Sequence, residues 1–177
     1  MVEQWFEDQL HDYNGPGSWG HVEVKERYRE LCRVLGAEAA GLTARESETG
    51  NIRRIYPIME SVIDLARRGD RAAIELCVQF IESTHRQAFG RVLHANAARA
   101  LRKSALSAEQ QHRLRSRILD MLRTAWVPRE FHDYARLLRK LGYSEQWQAT
   151  RAAVDEANPY VMRWVRQLEI NPTREGA

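Results

Sequence analysis

Two stretches of this chain are nearly the same: ARALRK at residues 98–103 and ARLLRK at residues 135–140. They match at five of six positions and begin 37 residues apart, and a weaker copy, IDLARR, begins 35 residues before the first. Each copy ends in two basic residues, and each is followed by a short turn and a capping residue: Asp70, Ser107 or Ser144. Cations stabilise a helix C-terminus, where carbonyl groups carry partial negative charge. The repeat therefore predicts three helices that end in the same way.

The sequence around these copies has the periodicity of amphipathic helices, with apolar residues three and four positions apart. Ser107 and Gln110 form the pattern of a capping box at one helix start, and Gly142 marks a helix end. Ala, Leu, Arg and Glu are abundant and favour helices, whereas runs of alternating Val, Ile and Thr are missing. The chain is therefore predicted to be all-α. The predicted hairpins span residues 55–84, 87–124 and 128–157.

The length of 177 residues fits one domain with a sizeable core, over residues 1–177. Around the hairpins of residues 55–157, the sequence predicts caps at both ends of the chain. The predicted parts are an N-terminal helical cap at 1–50, with helices at 2–13 and 21–35 and a flexible segment at 36–50, a C-terminal capping helix at 158–170, and a frayed tail at 171–177.

A period of 35 to 37 residues with two helices in each unit resembles an α-solenoid of the HEAT or armadillo type. The resemblance covers residues 55–157 and rests on the hairpin period and the helix-end chemistry. It implies a right-handed stack of antiparallel hairpins, an α–α superhelix of about eight or nine helices. It also implies that the second helix of each hairpin lines a concave face. An irregular helical bundle with coincidental basic pairs is the alternative architecture.

The polar stripes of those second helices carry charges of both signs. Alternating charge suits recognition of a protein or peptide, whereas a nucleic-acid channel needs continuous positive charge. We therefore expect a non-catalytic scaffold that binds a protein or peptide partner and is a monomer or a homodimer. The predicted partner-binding residues are Glu75, Gln79, Glu82, Arg113, Arg117, Asp120 and Arg151.

The uneven distribution of charge supports an alternative function. Residues 1–85 hold 10 Lys and Arg against 15 Asp and Glu, a net charge of −5, whereas residues 86–177 hold 17 against 9, a net charge of +8. A basic half can neutralise phosphates, so nucleic-acid binding is the second hypothesis. Its candidate phosphate contacts are Arg91, Arg99, Arg102, Arg113, Arg115 and Arg117.

The sequence contains no pattern that favours catalysis. Gly-rich phosphate-binding loops, the nucleophile elbow and the zinc-binding H-E-x-x-H pattern are all missing from the sequence. No two His residues stand three or four positions apart, so no single helix offers a two-His metal face. Glu130, His132 and Asp133 are closely spaced but point in different directions on a helix. We expect no enzyme activity, no cofactor and no metal.

Other features of the sequence concern the compartment and the aromatic residues. No apolar run is long enough for a membrane span, and the first residues do not resemble a secretory signal. Cys32 and Cys77 lack metal-ligand spacing, and two buried, reduced thiols are favoured over a disulfide. A cytoplasmic location is therefore expected. Trp19, which lies in a Gly-rich turn, is the best candidate for an exposed aromatic.

Overall fold

The computed structural model describes residues 9–83 and 90–170, and this part of the chain is mostly helical, as the sequence predicts. The described helices are α1 (His21–Leu35), α2 (Met59–Arg67), α3 (Arg71–Glu82), α4 (Gly90–Leu101), α5 (Ala108–Arg123), α6 (Phe131–Leu141), α7 (Ser144–Ala153) and α8 (Pro159–Ile170). Asp70 caps α3 by accepting from the Ala73 N–H, and Ser107 and Gln110 form the expected capping box on α5. The predicted frayed tail lies outside the described residues.

A small sheet, which the sequence did not predict, corrects the strictly all-α expectation. Its strands are β1 (Gln9–Asp12), β2 (Glu46–Thr49) and β3 (Ile52–Ile55), in the order β1-β3-β2. The helix predicted at 2–13 is wrong over β1, and its earlier residues lie outside the described part. The segment predicted as flexible at 36–50 contains β2. Their sequences, QLHD, ESET and IRRI, do not alternate between apolar and polar residues, which is the pattern that predicts a strand.

The sheet is held together by a tight turn and a buried amide. Gly50 has a φ of 61°, the left-handed region that a two-residue hairpin turn requires, and it joins β2 to β3 in antiparallel pairing. β1 pairs with β3 in parallel. Buried Asn14 connects the sheet to the helices, because its Oδ1 accepts from the Ile58 N–H at 2.7 Å and its Nδ2 donates to Asp12 Oδ1 at 2.8 Å.

The helices pack in two rows. In one row α2 contacts α4 and α4 contacts α6, and α8 lies against α6. In the other row α1 contacts α3, α3 contacts α5 and α5 contacts α7. Helix α3 also packs on α2 and α4, so most of its circumference is buried. Helix α1, which was predicted as part of a cap, therefore extends the second row.

The two copies of the repeated phrase end α4 and α6, which lie side by side. Arg99 of the first copy donates to both carboxylate oxygens of Asp133 in α6, at 3.0 and 2.9 Å. Lys140 of the second copy donates to the Ser104 carbonyl just beyond α4, and the Ser104 hydroxyl donates to the Ala66 carbonyl of α2. Lys140, one of the predicted basic residues, thus contacts the end of the neighbouring helix, and Arg99, which precedes the basic pair of its copy, bridges α4 and α6.

One connected hydrophobic core runs from Trp19 to Leu168. Trp19 is only 4% exposed and its ring packs edge-on against Phe80, so the expectation of an exposed Trp19 is wrong. Cys32 and Cys77 are free and buried, which confirms the prediction of two buried thiols. Burial raises the pKa of the Cys77 thiol to about 12.

Candidate functional site

A polar network joins the facing sides of α3 and α5. Arg113 donates through Nε to Glu82 Oε1 at 2.9 Å and through Nη1 to Glu75 Oε1 at 2.8 Å. The side chains of all three residues are at least two-thirds buried. The hydrogen bond with Glu82, and then that with Glu75, raise the pKa of the Arg113 guanidinium above its usual value. Arg113 therefore stays charged and clamps α5 to α3.

The Glu75 carboxylate is the centre of this network. Oε1 also accepts from Gln79 Nε2 at 3.2 Å, and Oε2 accepts from Gln110 Nε2 at 2.8 Å. Gln110 is the capping-box residue of α5, and its Oε1 accepts from the Ser107 N–H at 3.0 Å. The Gln110 side chain thus caps α5 and, through its hydrogen bond to Glu75, connects the first turn of α5 to α3. The partly buried carboxylate is satisfied on both oxygens, as burial of a charge requires.

A cleft of about 430 Å³ opens beside this network, between α1, α3 and the start of α5. Its α1 wall is apolar, and Val34 in that wall is 65% exposed. Its other surfaces carry charges of both signs. The lining residues are Leu31, Val34, Leu35, Arg71, Ile74, Glu75, Ala105, Ser107, Glu109, Gln110 and Arg113.

This combination determines what the cleft can bind. An apolar wall gains free energy when a ligand side chain covers it. A few polar groups on the opposite wall can then fix the orientation of the ligand. Of the two arginines that line the cleft, Arg71 and Arg113, the second is already paired with Glu75 and Glu82, and Glu109 adds a further negative charge. The cleft therefore suits an amphipathic segment better than a free anion.

The seven residues predicted from the sequence fall into three groups. Glu75, Gln79, Glu82 and Arg113 meet in the α3–α5 network, and Glu75 and Arg113 also line the cleft. Arg117 and Asp120 lie further along α5. The Arg117 guanidinium stacks over the Trp126 ring at 5.0 Å and approaches Asp120 at 3.7 Å.

Arg151 lies apart from the other predicted residues. It is on α7, where it pairs with Glu156 at 2.7 Å and with Glu169 of α8 at 3.1 Å. The groove was predicted to run along three helices, but six of its seven predicted residues lie on α3 and α5. Arg151 instead connects the last two helices.

Sequence reasoning missed the apolar wall of the cleft. Val24, Tyr28 and Cys32 form the buried stripe of α1, and Val34 lies outside that stripe. A single exposed Val is common on protein surfaces and does not mark a site. Only the packing of α1 against α3 places Val34 next to the charged network.

Two further properties of the described residues bear on chemistry. Side chains of His, Cys, Asp and Glu do not gather, within residues 9–83 and 90–170, into groups of three or more that could hold a metal ion. In that same part of the chain, none of the helices combines the length and apolar content needed to cross a lipid bilayer.

Comparisons with known proteins found no relative of this chain. No protein family, no curated protein and no solved structure matches this chain.

Proposed function

We propose that this protein is a non-catalytic helical-repeat scaffold that binds a peptide segment of a partner protein in the cleft between α1, α3 and α5. The observation that carries the proposal is the exposed Val34 wall facing a network of paired, opposite charges. Interfaces use this arrangement, with an apolar contact for affinity and polar groups for register. The bound segment is expected to insert an apolar side chain against Leu31, Val34 and Leu35.

The architecture that we propose for this scaffold is a short, right-handed, HEAT-like stack. The two rows of helices support it, because first helices contact first helices and second helices contact second helices. The contacts at the helix ends support it as well: Ser104 reaches α2 and Lys140 reaches the end of α4. Free, buried thiols at Cys32 and Cys77 fit a reducing compartment, and we propose a cytoplasmic location.

The internal pairing of the arginines argues against the nucleic-acid hypothesis. Arg99 and Arg113 are bound to carboxylates of this chain. Arg115 donates to the Leu141 carbonyl at 2.9 Å, and Arg117 lies over the Trp126 ring. Phosphate contacts release counterions only if the cations are free to meet the phosphates. Four of the six candidate arginines would first have to give up these contacts.

The proposal can be tested by selecting binders from a displayed library of random peptides. We expect the selected peptides to share an apolar anchor and to bind the natural chain and the Val92→Glu variant equally. Val92 is a matched control, since it is 58% exposed on α4, outside the cleft. The Val34→Glu variant should bind the same peptides about tenfold more weakly or worse, because it replaces an apolar contact with a carboxylate.

Two outcomes would contradict the proposal. One is a failure to select any peptide family, or the selection of peptides that bind Val34→Glu as well as the natural chain. The other is binding of labelled oligonucleotides at physiological salt with a steep salt dependence, which would favour the nucleic-acid hypothesis.

A further inference from the structure

Strand β2 lies at an edge of the small sheet. In the order β1-β3-β2, which covers the described residues 9–83 and 90–170, it pairs with β3 and has no strand on its other side. The Tyr56 N–H donates to the Arg45 carbonyl, so the backbone groups of Arg45 point towards β3. In antiparallel pairing the direction of the backbone groups alternates along the strand, so those of Ser47 and Thr49 also point towards β3. The N–H and C=O groups of Glu46 and Glu48 therefore point away from the sheet. Both residues are exposed.

The side chains along this edge give it negative charge. Glu46 and Glu48 lie on the same face of the sheet because side chains alternate along a strand. The register places Arg53 opposite Glu48 and beside Glu46, and Arg53 Nη2 lies 2.7 Å from Glu46 Oε2. On β1, Asp12 is in register with Ile55 and adds a third carboxylate to this face. This face of the three strands thus carries three carboxylates and one guanidinium.

A second copy of the chain does not complement this edge. Pairing β2 with β2 of another copy would bring Glu46 and Glu48 opposite the same two residues. Pairing β2 with the outer edge of β1 of another copy would bring Glu46 and Glu48 opposite Leu10 and Asp12. Like charges directly opposite each other on neighbouring strands are destabilising. Charged edges of this kind also prevent pairing with neutral strands.

We propose that the outer edge of β2 binds an extended segment of a partner protein that carries basic residues at alternate positions. The segment adds to the sheet as a fourth strand, a recognised mode of peptide binding. Its backbone hydrogen-bonds to the outward N–H and C=O groups of Glu46 and Glu48, and its basic side chains lie beside the two carboxylates. This surface shares no residue with the cleft beside Val34, so it is independent of the function proposed above.

The test uses the full chain, labelled for NMR, and an acetylated peptide of alternating Lys and Thr residues. Strand addition is expected to slow amide hydrogen exchange at Glu46 and Glu48, whose N–H groups gain acceptors. Exchange at Ser47 and Thr49, which already pair with β3, should change little. The matched control peptide has the same sequence and charge but is N-methylated at every residue, so that neither of its edges can donate backbone hydrogen bonds.

Variants of the edge separate backbone pairing from charge attraction. Glu46→Gln with Glu48→Gln should weaken binding by about fivefold, since it removes two cross-strand charge pairs. Glu48→Pro should abolish binding, because it removes an outward N–H while leaving the bonds to β3. Glu145→Gln, at an exposed carboxylate on α7, is the matched control and should leave binding unchanged.

Three results would overturn this proposal. The first is no binding of the Lys–Thr peptide at millimolar concentration. The second is equal binding of the N-methylated peptide, or binding without slower exchange at Glu46 and Glu48, which would indicate charge attraction alone. The third is slow exchange at these two amides in the protein without peptide, rising with protein concentration, which would assign the edge to a second copy.

Discussion

His94 is a buried titratable residue in the middle of the core. Its ring stacks on Phe80 with centroids 4.1 Å apart, and its Nε2 lies 3.1 Å from the Phe80 carbonyl oxygen. Burial lowers the pKa of the imidazole below its usual value, and the positive charge of Arg117 acts in the same direction. The hydrogen bonds with the Phe80 and Gly90 carbonyls and the charge of Glu130 oppose this shift. The neutral ring is therefore the form that fits the fold.

The lowered pKa of His94 predicts that stability falls in mild acid. Below the usual histidine pKa of about 6.5 the unfolded chain takes up a proton that the folded chain resists. Acidification from that value downward therefore favours the unfolded state. We expect the Tm of the natural chain to drop more between pH 7 and pH 5 than the Tm of His94→Gln, which keeps an N–H for the Phe80 carbonyl but does not titrate.

The control for this experiment is His112→Gln, because His112 lies at an exposed position of α5. Its pH profile should follow that of the natural chain. Identical profiles for the natural chain and His94→Gln would show that the folded state accommodates the charged ring, contrary to the prediction.

The pair formed by Arg99 and Asp133 acts between elements, joining α4 to α6. Asp133 is buried, at 5% exposure, whereas the Arg99 side chain is 52% exposed. Removing the guanidinium leaves a carboxylate buried without its partner, but removing the carboxylate leaves a cation that water can reach. The two halves of the pair are therefore expected to contribute unequally to stability.

We predict that Arg99→Ala lowers the free energy of unfolding by about 2 kcal/mol or more. Asp133→Asn should cost less than about 1 kcal/mol, since the amide can still accept a hydrogen bond from Arg99. Urea denaturation measures both values. Arg136→Ala is the matched control, because Arg136 holds the same place in the second copy of the repeated phrase and is exposed. A larger loss for Asp133→Asn than for Arg99→Ala would contradict the prediction.

Helices and strands differ in how well the sequence predicts them. The bounds of α1 match the predicted range of 21–35, and the capping residues Asp70 and Ser107 were identified correctly. The prediction of Ser144 as a cap is wrong, because Tyr143 holds the N-cap position of α7 and Ser144 is its first helical residue. Helical signals are local, because periodicity and caps depend on residues three or four positions apart. β1 could not be predicted in this way, since its partner β3 lies more than 40 residues further along the chain.

At the scale of the whole molecule, one hydrophobic core connects residues from Trp19 to Leu168. A domain whose helices share one core should unfold in a single step. We predict coincident urea transitions by far-UV circular dichroism and by tryptophan fluorescence. Leu168→Ala, at a fully buried position of α8, should shift both transitions together by about 2–3 kcal/mol.

The matched control for Leu168→Ala is Ile170→Ala on the same helix, where the side chain is 76% exposed. This variant should leave both transitions in place. A separate early transition in Leu168→Ala, seen by only one of the two probes, would show that α8 unfolds independently of the other helices.

The sequence by itself determined the helical class, most helix bounds and the basic helix ends, because these depend on local periodicity, capping and charge. It also identified Glu75, Glu82 and Arg113 as one polar surface, since they lie on the polar stripes of neighbouring helices. Only the tertiary structure decided that these three residues bind one another. It also decided that Val34 forms a wall of the same cleft, and that β1 joins β3. These contacts join residues far apart in the chain, and local sequence patterns carry no information about such distances.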